Sequence, residues 1–83
     1  MSKEELIDNI LLYENQIGMW KIVLNQMLES DFTIGYGFDK NIKKWKVYQN
    51  NERGISAEWL FDKEQDALEK MYKKVKFQYK MLN

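Results

Sequence analysis

Between Asp31 and Phe61 (DFTIGYGFDKNIKKWKVYQNNERGISAEWLF) large apolar residues alternate with small or polar ones in three short runs. A period of two sends successive side chains to opposite faces of a strand, so each run presents one face to a core. Phe32, Ile34, Tyr36 and Phe38 alternate with Thr33, Gly35 and Gly37, predicting a strand over about 31–38. Trp45 and Val47 predict a second over 44–49, and Ile55, Ala57, Trp59 and Phe61 a third over 55–61. The links Asp39–Lys43 and Gln49–Gly54 are short and hold asparagines and a glycine, residues that accept positive φ. Short links favour an antiparallel meander.

Helical periodicity flanks this segment. Ser2 and Glu5 form a capping box. Behind them Leu6, Ile10, Tyr13, Ile17, Trp20, Leu24 and Met27 recur at steps of three and four, predicting a helix over about 2–29. Gly18 falls inside it at a cost of about 1 kcal/mol relative to alanine. Either the helix bends or breaks near Gly18, or a second stripe of Ile7, Leu11, Gly18 and Ile22 meets another subunit. Asp62 reads as the N-cap of a last helix over about 63–82, whose apolar face is Leu68, Met71, Tyr72, Val75, Tyr79 and Leu82. The expected fold is a single α+β domain over 1–83. It is an αβββα two-layer sandwich, with a three-stranded antiparallel meander and both helices on one face. Its sheet presents Phe32, Ile34, Tyr36, Trp45, Val47, Ile55, Ala57, Trp59 and Phe61 to the helices. A chain of 83 residues supports one modest core, and three tryptophans, five tyrosines and four phenylalanines supply large units of buried area for it.

The chemistry the chain lacks narrows its function. It has no cysteine and no histidine, so neither disulfides nor the commonest general base and transition-metal ligand are available. No nucleophile–base set is visible, and no cofactor, metal or small-molecule substrate is expected. Glu52 and Arg53 read as a local turn pair. The start MSKEEL is unlike a signal peptide, and no apolar run nears the roughly 20 residues that span a bilayer. The expectation is a cytoplasmic protein that does not engage membranes. Thirteen basic and thirteen acidic residues give no net charge, which argues against nucleic acid. The lysine-rich end of the last helix, with Phe77 and Met81, has the flavour of a single-strand binder. Its plainer reading is a solvated end with Phe77 reaching back onto the first helix.

The sheet's other face carries Thr33, Gly35, Gly37, Lys44, Lys46, Tyr48, Ser56, Glu58 and Leu60, and a two-layer fold leaves it uncovered. Tyrosine inside a polar rim suits a protein-binding surface.

An aromatic strand, the W-x-V-Y strand (Trp45, Val47, Tyr48), the E-R-G turn (Glu52, Arg53, Gly54) and the E-x-x-A-L helix start (Glu64, Ala67, Leu68) follow one another in that order. Over the last half of the chain this succession resembles small immunity proteins of bacterial polymorphic toxin systems, of the contact-dependent inhibition kind. The resemblance implies a bacterial cytoplasmic inhibitor that binds a cognate toxin protein, such as a nuclease, and occludes it without catalysis. With the open face it nominates Tyr36, Asp39, Tyr48, Asn51, Glu52, Arg53 and Glu58 as contacts. The alternatives are a homodimeric structural or regulatory domain joined through the first helix, and a small nucleic-acid-binding module using Lys70–Lys80.

Overall fold

The computed structural model describes residues 2–52 and 56–82. Its elements are α1 (Lys3–Leu11), β1 (Lys21–Val23), β2 (Thr33–Asp39), β3 (Lys44–Asn50), β4 (Ser56–Phe61) and α2 (Glu64–Leu82). The α+β class, the three alternating runs and the last helix agree with the sequence. The start of the first helix agrees as well, but residues 12–30 do not.

The helix expected over 2–29 ends at Leu11. Its start is the capping box: Ser2 Oγ accepts from Glu5 N at 3.2 Å, and Ser2 N donates to Glu5 Oε1 at 3.3 Å. Turns then replace helix. Asn15 has φ 67°, Gly18 φ 65° and Asn25 φ 54°, all in the left-handed region, where glycine and asparagine are favoured over other residues. The periodic apolar residues up to Leu24 are nevertheless buried or half-buried, while Met27 is exposed: Ile17 is fully enclosed, and Tyr13, Trp20 and Leu24, with Ile22 beside them, pack on the core from loop and strand. Spacing that mimicked a helix is a string of anchors on an irregular path. The second stripe of Ile7, Leu11, Gly18 and Ile22 is not formed, because Ile22 lies in β1 and Gly18 in a turn. A dimer through a long first helix loses its basis.

The strand that replaces the helix makes the sheet four-stranded and mixed, in the order β1-β2-β3-β4. β1 is parallel to β2 with Ile22 opposite Ile34, while β2–β3 and β3–β4 are antiparallel with Tyr36 opposite Val47 and Val47 opposite Trp59. Gln26 N extends the parallel edge by donating to Tyr36 O at 3.0 Å. Residues 24–32 connect the two parallel strands.

α2 lies across β2, β3 and β4, and α1 packs beside it. Leu6, Ile10, Ile17, Ile34, Tyr36, Val47, Ala67, Leu68, Met71 and Val75 form the core. Each large side chain enclosed there contributes roughly 1.5–3 kcal/mol. A polar chain crosses this layer: Tyr36 Oη donates to Glu64 Oε2 at 3.0 Å, and Glu64 pairs with Lys3 at 3.1 Å. β2, α2 and α1 are thereby joined at one point. Burial, then the bond to Glu64, pushes the Tyr36 phenol up to about 12. Asp62 does not cap α2, which begins two residues later; its carboxylate pairs with Lys44, which holds its pKa low. Ile55, expected on the helix-facing side, lies outside the described residues.

Candidate partner-binding groove

The far side of the sheet is not bare. Gly35 and Gly37 leave space on it that other residues occupy. A Cβ on Gly35 would lie 2.5 Å from Tyr48 Oη and 2.6 Å from Tyr48 Cζ, so the tyrosine ring rests on the glycine backbone. A Cβ on Gly37 would meet Met27 Sδ at 2.8 Å. Here the chain lacks side chains because a ring and a thioether take their place.

Tyr48 and Asn50 hold the 24–32 connection against this floor. Tyr48 Oη donates to Gln26 O at 2.7 Å and accepts from Leu28 N at 3.1 Å. Asn50 Nδ2 donates to Leu28 O at 2.8 Å and to Ser30 O at 3.1 Å. Two side chains thus satisfy four backbone groups of a segment that has no strand partner there. Tyr48 is 2% exposed and Asn50 9%, and burial raises the Tyr48 phenol. At these net strengths each bond contributes about 1 kcal/mol, so the connection is held more lightly than the helices.

Between the connection and β3–β4 runs a groove of about 580 Å³, lined by Met27, Leu28, Glu29, Lys46, Tyr48, Asn50, Ser56 and Glu58. Its cation is neutralised inside the site: Lys46 Nζ lies 3.2 Å from Asp39 Oδ2 and 3.6 Å from Glu58 Oε2. Asp39 also accepts from Asn41 N at 2.9 Å, and that bond, followed by Lys46, keeps its carboxyl below the usual range. Glu29 and Glu58 remain at the rim, with the Glu58 side chain 52% exposed. The groove has an apolar wall, a hydrogen-bonding floor and an acidic lip.

The nominated contact residues separate. Asp39 and Glu58 gather at or beside the groove; Tyr48 lies beneath it, but at 2% exposure it supports the covering segment and offers no more surface than Tyr36. Tyr36 points to the other side of the sheet and is buried in the helix-side core at 2% exposure, so it offers no surface to a partner. Asn51 is half-buried, its Oδ1 accepting from Gln49 Nε2 at 3.3 Å, and Glu52 is exposed beside it. Arg53 lies outside the described residues. Met27, Leu28 and Glu29 were hidden from sequence reasoning inside an apparent helix. The sign that they fold over the sheet was the pair of glycines on the face that carries Tyr48. Among the described residues no cluster of acidic, histidine or cysteine side chains has the arrangement of a metal site, and no helix is long and apolar enough to cross a membrane. Comparison with protein-family models, curated proteins and solved structures finds no match.

Proposed function

We propose that the protein is an immunity-type inhibitor that binds a cognate bacterial toxin domain through the groove side of its sheet and occludes it. The observation that carries this reading is the preformed groove, with Met27 and Leu28 as its apolar wall, the buried Tyr48 as its support and Glu29 and Glu58 at its lip. Its floor is ordered before any partner arrives, because Tyr48 and Asn50 already fix the covering segment. Preorganisation of this kind lowers the ordering cost of association. An apolar centre inside a polar rim is the anatomy of protein–protein contacts.

The mechanism requires no chemistry from the chain. A basic or amide-rich element of the toxin enters the groove, and the surrounding sheet face and turns cover the toxin's active site with about 800 Å² from each partner. Since Lys46 is paired, the carboxylates of Glu29 and Glu58 set the sign of the lip and steer a cationic surface such as a nuclease cleft. The ordered W-x-V-Y, E-R-G and E-x-x-A-L segments support the same assignment by resemblance. The reading expects a toxic domain in the adjacent open reading frame, and the test is co-expression with that domain. Rescue of growth is expected; continued toxicity, with both proteins soluble, would refute the assignment.

A further inference from the structure

On the opposite side of the molecule, α2 presents an outward ridge of Asp66, Glu69, Lys73, Phe77 and Lys80, all exposed. The ridge changes character along its length. No acidic residue follows Glu69, whereas Lys70, Lys73, Lys74, Lys76 and Lys80 do. Part of that charge is committed: Lys70 and Lys74 lie over the Trp59 ring at 4.9 and 4.5 Å, and Lys76 over Tyr72 at 5.0 Å. Among the described residues none of these five lysines has a carboxylate within 4 Å. Phe77 does not fold back onto α1. It is 54% exposed, with Met81 one turn away at 69%, and it lines a shallow groove of about 220 Å³ with Lys73, Lys76 and Lys80.

A core phenylalanine would be enclosed, and a merely solvated helix end would not place its exposed ring among cations that no carboxylate of the described residues neutralises. We propose that this groove binds single-stranded nucleic acid, with a base stacked on Phe77 and the flanking phosphates on Lys73, Lys76 and Lys80. The ring supplies a π-face that any base can use, and the lysines supply charge without sequence preference. A discrete concavity beside the ring favours a planar base over a lipid surface, which needs no pocket. The zero net charge is no obstacle, because the acidic residues of the outward ridge stop one turn before Lys73 and the basic face is local. This surface is separate from the partner groove, on the other side of the sheet.

Fluorescence anisotropy of a labelled oligothymidylate about a dozen nucleotides long tests the assignment. Saturable binding at low salt is expected, with log K falling against log salt at a slope of about −2 for three phosphate contacts. F77A, an exposed change, is expected to weaken binding roughly 5- to 100-fold while circular dichroism is unchanged. K73E/K80E abolishes it, and K43E in the distant β2–β3 turn leaves it intact. Absence of binding at low salt overturns the proposal. So does binding that F77A leaves unchanged, which would be unspecific charge attraction. Uptake by anionic vesicles without oligonucleotide binding also overturns it, in favour of a lipid surface.

Discussion

The two faces of this sheet are closed by different physics. On one side α1 and α2 bury a continuous apolar cluster from Leu6 to Val75, with Tyr36–Glu64–Lys3 as its one polar link through Tyr36. On the other, the 24–32 connection sits on glycines and is held by the side chains of Tyr48 and Asn50. The helix side gains from area and dispersion, which are large and indifferent to direction. The connection side relies on a few directional bonds of modest net strength. The first arrangement encloses its side chains between helices and sheet. The second leaves a groove between a light cover and a firm sheet, which is why the surface suited to a partner is the one with less apolar packing.

The sharpest way to break this contrast is to fill the glycine floor. G35A places a methyl group against the Tyr48 ring, which its bonds to Gln26 O and Leu28 N tether in place. Overpacking costs up to about 3 kcal/mol, against which the stiffer unfolded chain returns less than about 1. A net loss of about 2 kcal/mol is expected, read as a fall in Tm of roughly 4–8 °C for each kcal/mol. G37A meets the flexible side chain of Met27, with the Gln26 backbone in ordinary contact at 3.5 Å, and is expected to cost well under half as much. Equal effects would mean that the Tyr48 ring does not lie on Gly35.

Next in size is Y48F, which removes the donor to Gln26 O and the acceptor for Leu28 N. A loss of about 1–2 kcal/mol in urea denaturation is expected, with faster amide exchange at Leu28 and helices otherwise unaffected.

Alkaline pH separates the two sides again. Tyr36, pushed up to about 12, and Tyr48, also raised, hold their protons more tightly folded than unfolded, where a tyrosine has an ordinary pKa of 10.0. The stability this linkage carries is complete below pH 10.0 and is lost as pH rises toward about 12. Denaturation midpoints measured across that window should fall, and Y36F should remove the larger part of the slope. A midpoint independent of pH there would contradict the buried Tyr36–Glu64 bond.

The smallest stability effect belongs to the lip. E29K changes an exposed group outside the Lys46 ion pairs and should alter stability by less than about 0.5 kcal/mol, yet it is expected to weaken growth rescue by slowing capture of the proposed partner.

How much of this was legible follows from the same contrast. Strands β2, β3 and β4 announced themselves because Ile34, Tyr36, Val47 and Trp59 alternate against one apolar layer, and α2 because Leu68, Met71 and Val75 recur on one face. β1 and the connection did not. Tyr13, Ile17, Trp20 and Leu24 have helical spacing, and periodicity alone cannot distinguish a helix from anchors on a winding chain. Asn15, Gly18 and Asn25 were the informative residues there, since three left-handed positions are incompatible with one helix. The place of Tyr48 and Glu58 on the sheet's far face was legible, but not that Tyr48 is buried there under the connection. Met27, Leu28 and Glu29 were not legible, because their role depends on a nine-residue crossover between parallel strands, shorter than the usual crossover connection.

Hydrogen–deuterium exchange of the protein with and without the proposed toxin partner tests the central claim most directly. Protection on binding is expected at 26–29, 46–50 and 56–58, with the outer ridge of α2 unchanged. Protection confined to α1 or α2, with the groove segments exchanging as in the free protein, would contradict a partner surface on this side of the sheet.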